Sequence, residues 1–191
     1  MTATADPDLA LRDAQKTIQA GDFAAAARIT DTILAGDPTH KDAHLATLKA
    51  VSPDFGRAYQ EEGHLKRKLG DMSGAIGAYE RATRYNPALI ASWSALGDLY
   101  QQAGNEDAAS NARAQAERVR ALPRDLQAVT NHIHEGRVFR AEEIARAFLQ
   151  RHPTHVEGMR LLADIGSRLG VQEDADFLLE SAVDLDPDNI Q

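Results

Sequence analysis

Residues 57–87 read RAYQEEGHLKRKLGDMSGAIGAYERATRYNP. Tyr59, Gly63, Leu65 and Leu69 recur at turn-like spacings before Gly70. After Asp71 come Ala75, Ile76, Tyr79, Ala82 and Thr83, again three and four apart. That is the period of a helix face, so the stretch predicts two helices broken at Gly70-Asp71. A glycine takes the left-handed conformation that ends a helix without steric penalty. The Asp71 carboxylate is suited to accept the orphan amides of the helix that follows. No segment of the chain shows the two-residue alternation of a half-buried strand.

The same punctuation recurs. Turn glycines at Gly21, Gly70, Gly104, Gly136 and Gly170 are spaced by 49, 34, 32 and 34 residues. Closing prolines at Pro38, Pro87, Pro153 and Pro187 are spaced by 49, 66 and 34, and 66 is two periods. Two independent marks thus share one ruler, with a 15-residue excess between Pro38 and Pro87. His40 to Val51, inside that excess, reads as a single unpaired helix or as a unit that has lost its second helix. Gly21-Asp22 and Gly104-Asn105 repeat the capping chemistry of Gly70-Asp71, whereas Gly136-Arg137 and Gly170-Val171 are expected to lack a side-chain cap. Thr154 to Glu157 reads as a capping box after Pro153, and Thr39 to Asp42 after Pro38 is nearly the same. Ala26, Ala75, Ala109, Ala141 and Ala175 each lie five residues after a turn glycine, where a methyl group lets the second helix approach the first.

Trp93-Ser94-Ala95-Leu96-Gly97-Asp98-Leu99-Tyr100 fits the pattern W-x2-L-G-x2-Y. With Pro87 and Pro187 at unit ends, the chain resembles the tetratricopeptide repeat family over nearly its whole length. The resemblance implies an all-α fold, a right-handed α-solenoid of antiparallel helix pairs. The units fall at about 7–40, 56–89, 90–121, 122–155 and 156–191, with an odd helix at 41–55 and a tail at 1–6. Ala14 and Val129 stand where Gly63 and Gly97 stand in the clearer units.

Composition narrows the function classes. The 191 residues carry 21 Lys+Arg, 29 Asp+Glu and no Cys. Zero Cys excludes disulfides, thiolate metal sites and Cys nucleophiles. No apolar run approaches a membrane span. Met1 to Ala10 has neither a basic nor an apolar stretch, so no secretory signal is expected there and a cytoplasmic location is. Between Leu169 and Gln191 stand seven acids (Glu173, Asp174, Asp176, Glu180, Asp184, Asp186 and Asp188) and no Lys or Arg, leaving 22 acids and 21 bases elsewhere. The net charge of −8 thus belongs to the C-terminal end, and an acidic surface argues against nucleic-acid partners.

A search for catalytic constellations yields none. The chain lacks a phosphate-binding G-x-x-x-x-G-K-[ST] loop, a G-x-S-x-G elbow and an H-E-x-x-H pair. Glu61/Glu62 and Glu142/Glu143 are sequence neighbours that point apart on a helix. His40 and His44 share a helix face, but two ligands without a converging second pair make a poor metal site. Neither metal nor cofactor is expected. Tyr59, Tyr79, Trp93, Tyr100 and Phe148 fall at packing positions and read as core.

The family resemblance implies that first helices line a concave groove that binds a protein or peptide. It places Arg57, Gln60, His64, Arg67 and Lys68 in that groove, then Ser94, Asp98 and Gln101, then Leu126, Thr130, Ile133 and His134, and finally Glu157, Arg160, Asp164 and Arg168. Some family members clamp a chaperone's C-terminal carboxylate with Lys and Asn. The matching places hold Gln60 and His64, then Ser94 and Asp98, so that set is missing here. The basic cluster around Arg57, His64, Lys66, Arg67 and Lys68 suits an acidic segment instead.

The last helix carries Ala175, Phe177, Leu178, Leu179, Ala182, Val183 and Leu185 among acids, a band too wide for one neighbour. Phe177, Leu178, Leu179 and Val183 are expected to form an exposed packing face, covered either by a second copy in a homodimer or by a domain beyond Gln191. Residues 153–165 (PTHVEGMRLLADI) and 174–180 (DADFLLE) resemble repeat regions that precede a sulfotransferase domain in some bacterial proteins, which implies a catalytic part outside the chain. The leading expectation is a non-catalytic binding scaffold; the alternatives are the arm of such an enzyme and a self-assembling repeat array.

Overall fold

In the computed structural model, which describes residues 7–19, 23–37, 40–52 and 54–186, the helical period becomes helices throughout, and no strand occurs among the described residues. The chain divides into two compact units, residues 1–85 and 86–191. The first holds α1 (Pro7–Gln19), α2 (Phe23–Gly36), α3 (Lys41–Val51), α4 (Gly56–Lys68) and α5 (Met72–Tyr85). The second holds α6 (Ile90–Gln102), α7 (Glu106–Ala121), α8 (Arg124–His134), α9 (Val138–Arg151), α10 (Val156–Leu169) and α11 (Gln172–Leu185). Consecutive helices pack as antiparallel pairs, α1 with α2, α4 with α5, α6 with α7, α8 with α9 and α10 with α11. Helix α3 packs on α2 as closely as α1 does, so α2 lies between two neighbours, and α3 also touches α1 and α4. Helix α10 also rests on α8 and α9.

The turns are built alike. Gly70 has φ 77°, a left-handed conformation, and Gly104, Gly136 and Gly170 have φ between 71° and 79°. At the first of them the Gly70 amide donates to the Arg67 carbonyl (3.2 Å) and the Asp71 amide to the Lys66 carbonyl (2.9 Å). This pair of hydrogen bonds closes the last turn of α4 and satisfies two orphan carbonyls. The same two bonds recur after α6, α8 and α10. Asp71 caps α5 by accepting the Gly74 amide at 2.8 Å, and Asn105 caps α7 by accepting the Ala108 amide at 3.2 Å. Arg137 and Val171 provide no side-chain cap. The Gly21-Asp22 turn, Pro38-Thr39 and Pro187 lie outside the described residues.

The capping box expected at Thr154 is not the one formed. His155 is the N-cap of α10, and its Nδ1 accepts the Gly158 amide at 3.2 Å. His40 does the same for α3, its Nδ1 accepting the Ala43 amide at 3.3 Å. The imidazole stands one residue closer to the helix than the threonine and reaches the orphan donor first.

Within the pairs, packing depends on small residues. Ala26, Ala75, Ala109 and Ala141 are wholly buried and Ala175 nearly so. Facing Ala75's helix, Gly63 of α4 has no room for a side chain, because a Cβ there would meet the Tyr79 ring at 2.7 Å. In the second unit the core gathers Leu126, Val129 and Ile133 of α8, Phe148 of α9, and Leu161 and Ile165 of α10. Leu126 and Ile133, expected along the groove, are therefore core residues. Their i, i+7 register turns them toward α9 and α10.

A partly hidden ion pair fastens α3 to its neighbour. Lys49 Nζ lies 2.9 Å from Glu62 Oε2, with both side chains largely covered, and Lys66 Nζ lies 3.2 Å from Glu62 Oε1. Burial pushes the Glu62 carboxyl up. The charge and hydrogen bond of Lys49, helped by Lys66 and Arg81, outweigh it and hold the carboxyl below its ordinary range. Lys49 also sits 5.5 Å from the centre of the Tyr59 ring, with Arg81 at 5.3 Å from the same centre. Tyr59 stacks on Tyr85 at 5.3 Å.

Two outcomes follow from this packing. Ala75→Leu should lower the unfolding free energy by about 1–3 kcal/mol through overpacking, whereas Leu at exposed Ala114 should change it by less than about 0.5 kcal/mol; urea denaturation reads both. Glu62→Leu strands the Lys49 ammonium and should cost about 3 kcal/mol, most of which the double variant Lys49→Met with Glu62→Leu recovers. Because the folded carboxyl titrates low, its contribution is whole at neutral pH and fades as pH falls below about 4.5. Glu62→Gln should therefore lose less stability than the parent between pH 7 and that range; equal losses would contradict the ion pair's role.

Candidate functional site

In the first unit, Arg57, His64, Arg67 and Lys68 all lie on α4 with Arg57, Arg67 and Lys68 exposed and His64 half-buried. They follow one another at helical spacing, and Lys66, Arg67 and Lys68 occupy its last turn, where the helix dipole favours cations. Gln60 differs from expectation. It is 7% exposed and buried in the packing of the unit. Its neighbours Tyr59 and Gly63 face inward as well, and they carry Gln60 under with them.

Charge is balanced unevenly along α4. Lys66 is committed to Glu62, and His64 Nδ1 lies 3.7 Å from Glu61. Arg67 and Lys68 make no ion pair among the described residues. Near Arg67 lies Tyr79 of α5, whose ring is wholly buried and meets His64 edge-on at 5.6 Å. The Tyr79 hydroxyl has no hydrogen-bond partner. Burial raises its pKa, the nearby Arg67 charge opposes that, and Glu61 adds to it. A polar atom thus lies buried without a partner among the described residues, close to the Arg67 charge.

The second unit presents its first helices differently. On α6, Gln101 accepts from Arg113 of α7 at 2.5 Å, and Asp98 lies 3.9 Å from the same guanidinium. Ser94 is half-buried. On α8, the Thr130 hydroxyl donates to the Leu126 carbonyl at 2.9 Å. His134 is half-buried, and burial lowers its pKa, with Arg168 adding to the effect and Asp164 opposing it. On α10, Arg160 binds Glu157 through two nitrogens at 2.7 Å each, and Arg168 Nε lies 3.1 Å from both Asp164 oxygens. The cations of this face are neutralised in place. The polar residues expected here are present, but their hydrogen-bonding capacity is largely spent within the unit.

Of the aromatic residues, Tyr59, Tyr79 and Phe148 are buried, while Trp93 and Tyr100 are half-buried. Trp93 Nε1 donates to the Pro87 carbonyl at 2.9 Å, which ties α6 to the loop before it. The His40 imidazole is spent on its capping bond, and the His44 side chain lies outside the described residues. Among the described residues no group of three or more His, Asp or Glu side chains is placed to hold a metal ion. No described helix is long and apolar enough to cross a membrane.

Helix pairs closed by one repeated turn and one repeated small-residue contact define a helical-repeat protein. Residues 56–89, which span α4, α5 and the loop that follows, match the tetratricopeptide repeat family, so the chain carries a tetratricopeptide repeat. Solved structures similar to the chain include a MamA protein, at 15% identity over 98% of this chain and 94% of that one with a TM-score of 0.35. A tetratricopeptide repeat protein from Parabacteroides merdae is similar at 15% identity over 93% of this chain and 79% of that one, with a TM-score of 0.38. PilF from Pseudomonas aeruginosa is similar at 16% identity over 96% and 93%, with a TM-score of 0.37. No curated protein matches the chain.

The orphan hydroxyl gives a direct check of this geometry. A buried hydroxyl without a partner costs about 1–3 kcal/mol. Tyr79→Phe should therefore leave the urea midpoint unchanged or raise it. A loss of more than about 1 kcal/mol would mean that the hydroxyl is bonded and the geometry above is wrong.

Proposed function

We propose that the chain is a non-catalytic scaffold that binds a protein or peptide, and that the exposed face of α4 takes an acidic segment of that partner. The observation that carries the reading is the charge balance: Arg67 and Lys68 are exposed and make no ion pair among the described residues, while Arg160 and Arg168 of α10 are neutralised by their own helix. Carboxylates on an extended segment would meet a guanidinium and an ammonium one residue apart, and hydrogen bonds between ions of opposite sign are among the stronger ones available at a surface. Arg57, one end of the same helix, extends the positive strip. The family match at 56–89 supports a scaffold of this kind, since helical repeats use extended surfaces for binding. A cytoplasmic setting fits a chain without cysteine.

A fluorescent Asp/Glu-rich peptide titrated against the intact chain and followed by anisotropy tests the reading. Binding should weaken with added salt, and Arg67→Glu with Lys68→Glu should weaken it by about tenfold or more, equivalent to about 1.4 kcal/mol. Affinity that is unchanged by this reversal, or equal affinity for a Lys-rich peptide, would contradict it.

A further inference from the structure

Helix α11 is charged and apolar in a pattern that the rest of the chain does not use. Ala175, Leu178 and Ala182 turn toward α10, so Leu178 belongs to the core rather than to the exposed face expected for it. Leu179 and Val183 remain 42% and 60% exposed. They stand four residues apart and so form one ridge along the helix surface. Asp176, Glu180 and Asp184 repeat at the same spacing and form an acidic ridge beside it. Phe177, 68% exposed, lies beyond the acidic ridge.

Among the described residues the acids of α11 have no counter-ion. The helix contains no Lys or Arg, and Glu173, Asp174, Asp176, Glu180, Asp184 and Asp186 make no ion pair among the described residues. Helices α8, α9 and α10 differ, because Asp125, Glu142, Glu143, Glu157 and Asp164 all hold arginines. Asp184 and Asp186 also sit at the C-terminal end of α11, where the dipole disfavours anions. Helices α4, α5, α7, α9 and α10 each carry a basic residue in that last turn. Glu173 and Asp174 in the first turn suit the dipole, but the electrostatics at the C-terminal end of α11 work against the helix and would be relieved by cations from outside.

We propose that this face of α11 docks an amphipathic helix of a separate protein, one that carries a Lys/Arg ridge at four-residue spacing beside a Leu/Ile ridge. The apolar ridge of the partner covers Leu179 and Val183, and its cations meet Asp176, Glu180 and Asp184. A helix is the form that matches, since both ridges on α11 follow the four-residue row that packs against the same row of a neighbour. A second copy of α11 fits poorly, because it would set one uncompensated acidic ridge against another. The surface is separate from the α4 face, and neither reading depends on the other.

The absence of cysteine allows a clean test. Gln172→Cys in the intact chain is labelled with an environment-sensitive dye and titrated with a synthetic Leu/Lys amphipathic helical peptide and with its Leu/Glu counterpart. A second chain labelled at Ser110→Cys on α7 serves as the reference. The Leu/Lys peptide should shift the α11 dye and leave the α7 dye unchanged, and the Leu/Glu peptide should shift neither. Asp176→Asn, Glu180→Gln and Asp184→Asn together should weaken binding about tenfold and flatten its salt dependence. Leu179→Ser with Val183→Ser should weaken it to a similar degree while the salt dependence stays. Binding that ignores both sets of changes, or that is equal for the two peptides, overturns the proposal. So does a dimer of the chain alone that Leu179→Glu dissolves, because the occupant is then a second copy.

Discussion

Everything else in the chain is arranged around one contact, a second helix laid so close upon a first that only a methyl group fits between them. Ala75, Ala109, Ala141 and Ala175 fill that space in four successive pairs. The turn before each pair member is set by a left-handed glycine, which delivers the second helix at the same place every time. Close approach is what lets short helices, few of them longer than fourteen residues, bury enough surface to persist. Larger residues then find their places around it. Tyr79 slides over Gly63, and Phe148 fills the space beside His152 and His155 at 4.7 and 5.0 Å.

Local chemistry was the part most legible in the sequence. The left-handed glycines, the Asp71 and Asn105 caps, and the buried alanines all follow from residues within five positions of one another. So does the absence of side-chain caps at Arg137 and Val171. The capping pattern at Thr154 misleads because a histidine one position on competes for the same amides, and Pro-Thr-His at both 38–40 and 153–155 is the signal for it. What depends on docking was not legible. Lys49 and Glu62 meet across two helices, and no spacing rule predicts that pairing. Gln60 and Leu178 were expected at the surface, yet their helices rotate them inward. Asp98 and Gln101 were foreseen as polar, but their tie to Arg113 of α7 was not.

The polar surface sorts by whether its charges are already satisfied. Half of the ten arginines of the second unit are held by carboxylates three or four residues away, an arrangement that adds little to stability when exposed but leaves little for a partner. Among the described residues, unpaired charges of one sign lie together on two helix faces. On α4 the excess is positive and lies near a buried hydroxyl without a partner among the described residues. On α11 it is negative and borders exposed apolar side chains. Complementary charge speeds encounter and selects partners more than it adds affinity, so opposite surfaces of this kind favour two different partners. None of the comparisons bears on the sulfotransferase-like resemblance of residues 153–180.

The claim that binding resides in two surfaces of opposite charge is tested most directly by mapping backbone amide shifts of the intact chain by NMR. One titration uses an acidic peptide and the other a basic amphipathic helix. The account predicts two separate footprints, the first on residues 57–68 and the second on residues 172–185. A single footprint shared by both ligands, or shifts confined to α6, α8 and α10, would contradict it.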